Sequence, residues 1–466
     1  MSGKHVIIIH GWSDEYTSMK KKLDAGLTTD GYKTHYINYK SLEDSATLED
    51  LAEGLFEKLR MTMFGSTPVE NILLEESQNP ERTLKFITHS TGALVVRQMI
   101  KQYSWYNNGK GIASHINSIV FLAPANFGSP LAHKAPSLLG RIAKGNRDLE
   151  DFGEVGIYIL RALELASPKQ WELADFDLFG SAPIYGVSGI RAFVLTGGSG
   201  YDDIIRSFIN EDGTDGTIVV SGANLNSRKY VIDFIHGEAT NDWHKGQPVI
   251  PYKIYPKLNH ATILDWSKTG VDILDCLDSG KDYVKIGDTF WENTKTELIA
   301  DGNKEQYQQF IFRVTDDRDR PVTDYLLQFN VWERKRKLAP DSKEIRGQIK
   351  MNDGEARKSA ELDEMLRENA HPHSVSKEYR RFLVSPNKIN ALLDKNYILT
   401  MSITAETGDD MIFYRTKEFE NYIIYDPFAQ GQISLFFNNT TTLVEIKIDR
   451  YSTLVSRYSP PDYKAI

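Results

Sequence analysis

The densest chemical signal in the chain is the stretch Leu84-Lys85-Phe86-Ile87-Thr88-His89-Ser90-Thr91-Gly92-Ala93-Leu94-Val95-Val96. An apolar run ends, a serine follows with two residues between, and a helical pattern begins directly after it. A sharp strand-to-helix turn lifts a serine hydroxyl clear of the backbone, and the helix N-terminus offers an N–H to a developing oxyanion. Gly92 supplies the small residue such a turn needs two places after the serine, whereas Thr88 stands two places before it, where glycine is commoner. The competing reading is an ordinary strand–helix connection with a Ser-Thr N-cap. A nucleophilic serine also needs a base and an acid. Downstream, Asp215 and its neighbour Asp212 are candidate acids, with Asp202 and Asp203 more remote. His260 is the candidate base, with His236 and His244 as rivals. The Gly- and Asp-rich run from Asn210 does not suit calcium, because Ser221 falls at the twelfth place, where an EF-hand loop needs glutamate.

Positioning such groups requires a framework, and the first 260 or so residues suggest one. Apolar runs recur at Val6–Ile9, Phe86-Ile87, Ile119–Leu122, Ala192–Leu195, Ile218–Val220 and Val231–Ile235. They are near-continuous, the mark of strands covered on both faces of a parallel sheet. Helical patterns intervene, with a capped start near Ser45–Asp50 leading into Leu51, Leu55 and Leu59, and another from Thr91 to Tyr103. Strands alternating with helices imply a doubly wound α/β domain over residues 1–275. An insertion at about 129–185 reads as helical, with segments at Ala135–Lys144 and Gly156–Ala166. After about residue 300 the period becomes two, as in Phe310-Phe312-Val314, Leu327-Phe329-Val331, Leu399-Met401-Ile403 and Val444-Ile446-Ile448. With turn chemistry at Asn352-Asp353-Gly354 and Thr407-Gly408-Asp409, this predicts an all-β sandwich over 303–466, joined through a connecting segment at 276–302.

Composition narrows the class. The chain has 466 residues, 55 basic and 64 acidic, for a net charge of −9, which disfavours nucleic acid as a partner. The single cysteine, Cys276, excludes an internal disulfide and lies outside every motif. The apolar start Val6–Ile9 is too short for a signal peptide, and no stretch approaches the length of a membrane span, so a cytoplasmic location is the expectation, with non-classical secretion as the variant.

The motifs together resemble those of the α/β-hydrolase superfamily, in its lipase- and esterase-like branch, which includes phospholipase and GPI inositol-deacylase-like members. His10-Gly11-Trp12, directly after the first apolar run, is similar to the His-Gly motif of lipases. The resemblance implies an oxyanion hole from the Trp12 and Thr91 amides, with Gly11 and His89 beside the substrate. Pro124-Ala125-Asn126-Phe127-Gly128-Ser129 is similar to the Pro-x-x-x-Gly-Ser segment that precedes the lid in such enzymes. Asp215-Gly216-Thr217-Ile218-Val219 looks like the stretch carrying the lipase acid, and Leu258-Asn259-His260 like the late histidine loop. The implied machine is a Ser90–Asp215–His260 triad that cleaves a carboxylic ester through an acyl-enzyme. The insertion becomes a lid whose Ile157 and Leu160 cover an acyl channel.

This reading implies an ester or lipid substrate, neither cofactor nor metal, transient contact with a membrane surface, and an unidentified partner for the C-terminal sandwich. His371-Pro372-His373 lacks metal-ligand spacing and reads as a charged loop. The alternatives are a non-catalytic scaffold whose sandwich does the binding, and a secreted phospholipase-type toxin.

Overall fold

The computed structural model describes residues 4–12, 16–64, 67–68, 82–105, 111–133, 156–202, 210–235, 240–246, 249–302, 305–334, 350–367, 370–394, 396–409, 411–416, 420–427 and 434–454. The predicted helix Ala135–Lys144 and the rivals Asp203 and His236 lie outside them.

The first unit is built on strands β1 (Lys4–Ile9), β2 (Tyr32–Ile37), β3 (Leu84–His89), β4 (Ile116–Leu122), β5 (Arg191–Gly197) and a later strand, Tyr252–Tyr255. They form a six-stranded sheet in which that last strand lies next to β5, followed by β4, β3, β1 and β2. Every neighbouring pair is parallel. Val6 to Ile9 are all buried, as expected of a strand covered on both faces. Helix α1 (Tyr16–Thr29) leads into β2, and α2 (Leu48–Met61) follows it. Thr47 caps α2 through a reciprocal capping box with Asp50, and Leu48, Leu51, Leu55 and Leu59 form its buried face. Helix α3 (Gly92–Gln102) follows β3 and is buried from Gly92 to Ile100. The chain runs from β1 outward to β2 and then returns to the other side of β1 as β3. That reversal opens a crevice at the carboxyl ends of β1 and β3, where doubly wound sheets hold their ligands.

Within the insertion, the described residues contain α4 (Ile157–Leu163) and α5 (Pro168–Asp177). The first matches the expected helix at Gly156–Ala166, trimmed at both ends. Arg97 of α3 makes a two-pronged buried ion pair with Asp177 of α5, at 2.7 and 2.9 Å, and Tyr185 donates to the same carboxylate.

Several expectations change. Ile218–Val220 is not a strand; Asp215 to Val219 form a tight turn, and a short helical turn, Val220–Ala223, follows. The run Val231–Ile235 does form a strand, β6 (Arg228–Phe234), but it pairs with Thr441–Ile448 in the second unit and carries β7 (Thr240–Lys245) along as a hairpin. Residues 228–245 therefore belong to the second unit's sheet, and 1–275 is not one continuous domain. Nor is 276–302 a mere connection. After α6 (Trp266–Leu277), helix α7 (Tyr283–Ala300) buries Tyr283 and Phe290 against the first sheet, and the Tyr283 hydroxyl donates to the Ala192 carbonyl.

The second unit is not all-β. Its six-stranded mixed sheet and a three-stranded antiparallel sheet, Tyr325–Glu333 with Tyr397–Ala405 and Tyr422–Tyr425, share one apolar core. Phe312 and Phe329 meet edge-on across the two, 6.1 Å apart. Two helices, Asp353–Arg367 and Pro386–Leu393, pack on that core through Leu362, Ile389, Leu392 and Leu393. Asn352-Asp353-Gly354, expected as a turn, instead starts the first of these helices. Asn352 accepts from the Glu355 amide, and Glu355 accepts from the Asn352 amide. Among the described residues no helix is long and apolar enough to cross a membrane.

Candidate active site

Ser90 is the first residue after β3 and has φ of 53°, in the left-handed region that a non-glycine residue occupies only where the surroundings enforce it. The surroundings here are dense. The Ser90 amide donates to the Leu122 carbonyl, and its carbonyl accepts from the Ala125 amide. A methyl group on Gly92 would stand 2.7 Å from the His10 carbonyl oxygen and 2.9 Å from that of Ile9, and one on Gly11 would stand 2.9 Å from Ser90 Cβ. The turn therefore requires small residues at 11 and 92 because the β1 loop lies directly against it. Thr88, at the other flank, is fully buried within β3, and the turn accommodates it.

The β1 loop is held by His10. The Tyr39 amide donates to His10 Nε2 at 3.2 Å, so the ring proton sits on Nδ1, which donates to the Gly11 carbonyl at 2.7 Å. The Tyr39 ring stacks on the imidazole at 4.3 Å. Because the peptide is planar and trans, pinning the Gly11 carbonyl also fixes the opposite direction of the Trp12 N–H. Thr91 is the N-cap of α3. Beside this loop Leu160 of α4 and Leu131 form a small apolar cluster with Trp12 and Tyr201. Ile157 is half-buried, and its amide and that of Gly156 donate to Asp44.

Asp215 and His260 meet against His89, the residue before Ser90. His260 Nδ1 lies 2.9 Å from Asp215 Oδ2, and the His260 amide donates to the Asp215 carbonyl. Asp215 is completely buried. Its Oδ1 accepts from the Thr217 and Ile218 amides at 3.0 and 2.8 Å. The carboxylate is thus compensated by hydrogen bonds on one oxygen and by imidazole on the other, and since a carboxylate only accepts, His260 carries its proton on Nδ1. The His260 loop is shaped locally, with Asn259 accepting from the Ala261 and Thr262 amides. Of the rivals, Asp212 is exposed and hydrogen-bonds Tyr307, Asp202 is exposed, and His244 lies on an exposed strand facing Asp242.

Two residues that the sequence reading named take supporting roles it did not assign, His89 having been expected beside the substrate and Ser129 only as the end of the Pro-x-x-x-Gly-Ser segment. His89 is buried, and its Nε2 donates to the His260 carbonyl at 3.0 Å while the two rings pack 4.7 Å apart. Burial, with the neighbouring His260 adding to it, pushes the His89 pKa far down, so the ring stays neutral. Ser129 ties the acid loop to the insertion: its hydroxyl donates to the Thr217 carbonyl at 2.5 Å, and its amide donates to the Leu163 carbonyl. Among the described residues no cluster of His, Cys, Asp and Glu could hold a metal ion.

A parallel, doubly wound sheet with a serine turn after its third strand and an acid–histidine pair late in the chain is the arrangement of the α/β-hydrolase fold. A solved structure shares the fold over the whole chain. Phospholipase PlaB from Legionella pneumophila superposes with a TM-score of 0.76 at 21% identity, covering 100% of this chain and 98% of that one. PlaB in complex with thio-NAD gives 0.72 at 21% identity, over 99% and 97% of the two chains. The mature lipase BlEst2 from Bacillus licheniformis covers 59% of this chain and 92% of its own, at 14% identity and a TM-score of 0.37. No protein-family model matches the sequence, and no curated protein does either. The PlaB likeness extends through the second unit, well beyond the span of the sequence motifs.

Proposed function

We propose that the protein is a serine carboxylic-ester hydrolase acting on lipid esters, with phospholipids as the first substrate class to examine. The observation that carries this reading is the buried Asp215–His260 hydrogen bond at 2.9 Å, beside a serine whose left-handed turn is enforced by its neighbours. Neutral His260, with its proton on Nδ1, offers the Nε2 lone pair to the Ser90 hydroxyl as general base. Ser90 Oγ attacks the ester carbonyl carbon. The oxyanion is held by the Trp12 and Thr91 amides, each worth roughly 3 kcal/mol. The imidazolium, stabilised by Asp215, then protonates the leaving alcohol. Water, activated by the same histidine, hydrolyses the acyl-Ser90 ester and restores the enzyme.

The lipid preference rests on the apolar Leu131–Leu160–Trp12–Tyr201 cluster beside the proposed oxyanion loop and on the full-length fold shared with a protein described as a phospholipase. The test is release of fatty acid from phosphatidylcholine and phosphatidylglycerol vesicles by the wild type and by Ser90→Ala. Release by the wild type, abolished in the variant, supports the reading; equal release by both refutes it.

A further inference from the structure

The histidine pair 371 and 373 finds its partner in the first unit. Glu164 directly follows α4, is 3% exposed, and accepts four contacts from the second unit. Three are hydrogen bonds, from the Ser374 amide at 2.8 Å, the Ser374 hydroxyl at 2.6 Å and His371 Nε2 at 3.2 Å; the fourth is proximity alone, with His373 Nε2 at 3.5 Å. His373 holds the same helix by another route: its Nδ1 accepts from the Val375 and Ser376 amides, so its proton sits on Nε2 and is donated to the Arg161 carbonyl of α4 at 3.4 Å. Burial works against the Glu164 charge, but the His371 and Ser374 hydrogen bonds outweigh it, and the carboxyl is held below its usual range.

Glu164 lies one helical turn beyond Leu160, the residue of α4 that packs near Trp12; the Glu164 amide donates to the Leu160 carbonyl at 2.8 Å. Helix α4 is thus held at its start by Asp44 and at its end by the second unit. We propose, building on the hydrolase reading, that Glu164 is a positioning residue through which the His371–Ser374 loop sets the acyl-binding wall at Leu160, making the second unit a determinant of chain-length preference. If the His371 and Ser374 side-chain donors are removed, the buried carboxylate keeps only the Ser374 amide, and an under-compensated charge moves toward water if it can. The end of α4 would follow it and take Leu160 along. Ser90, Asp215 and His260 would stay in place, because the hydrogen bonds that hold them, to the Leu122 carbonyl, the Ala125, Thr217 and Ile218 amides and one another, include no residue of α4.

The experiment compares p-nitrophenyl acetate with p-nitrophenyl decanoate in full-length wild type, in His371→Leu/Ser374→Ala, and in the same double variant carrying Glu164→Gln, alongside the rate of fluorophosphonate labelling. The double variant should raise KM for decanoate by about tenfold or more, the scale of a lost methylene contact or two. Its kcat on acetate and its labelling rate should stay within about twofold of wild type. Glu164→Gln should recover part of the decanoate loss, because a neutral amide has little reason to leave. Equal loss on both esters, or no loss on either, in a folded protein overturns the positioning role alone. Absence of labelling in the wild type overturns the hydrolase reading and this inference with it.

Discussion

Asp215→Asn probes the site most sharply, because the hydrogen bonds around the carboxylate dictate how the amide must sit. Oδ1 is held by the Thr217 and Ile218 amides, both donors, so that position must remain an oxygen. The new NH2 group then occupies the place of Oδ2 and faces His260 Nδ1 across 2.9 Å. Two donors cannot share that contact. His260 must move its proton to Nε2, which aims an N–H, rather than a lone pair, at Ser90. The variant keeps its shape and loses its base. A wrong tautomer of this kind costs about 10⁴ in kcat, or roughly 5 kcal/mol of transition-state stabilisation. Stability should change little, since a buried charge leaves together with part of its compensation. The assay is steady-state hydrolysis of a soluble ester, paired with thermal melting. A loss of less than about tenfold, or a larger loss in Asp212→Asn than in Asp215→Asn, would refute the reasoning.

Three other perturbations have defined outcomes. Ser90→Gly should abolish turnover yet stabilise the fold by about 1 kcal/mol, since relief of the positive φ exceeds glycine's entropic penalty, and melting should rise by roughly 1 °C for a chain of this length. Asp177→Ala strands the Arg97 guanidinium, whose side chain has no exposure, and should cost about 3–5 kcal/mol by urea unfolding, with Arg97→Met/Asp177→Leu recovering most of it. His89 is neutral when folded but takes a proton in the unfolded chain below about pH 6.5. The unfolded state then binds more protons, so stability is present above that pH and falls as pH drops through it. His89→Asn should remove up to one proton's worth of that slope, read from urea midpoints between neutral and mildly acid pH.

How far the sequence led depends on the residue. The buried strands Val6–Ile9 and Ile119–Leu122 and the capped start of α2 were legible, because full burial on both faces and a capping box leave direct local marks. Strand β2 was not, since it lies at the sheet edge and Tyr32-Lys33-Thr34-His35 reads as polar. The hairpin 228–245 looked like another strand of the first sheet because an apolar run does not record which sheet it joins. Asn352-Asp353-Gly354 carries the same residue types as a turn, and only Glu355 three places on distinguishes a helix cap. Within the site, Ser90, Asp215 and His260 stood out by type and order. Glu164 did not, and His89 and Ser129 were named without their actual partners, because these roles arise from contacts between segments far apart in the chain, such as the 210-residue separation of Glu164 from Ser374.

The central claim is that Ser90 is an activated nucleophile. The direct measurement is intact-protein and peptide mass spectrometry after treatment with a fluorophosphonate. One adduct, on the peptide containing Ser90, is expected, with labelling lost in Ser90→Ala and slowed by orders of magnitude in His260→Ala. An unlabelled folded protein, or an adduct on another residue that persists in Ser90→Ala, would contradict the account.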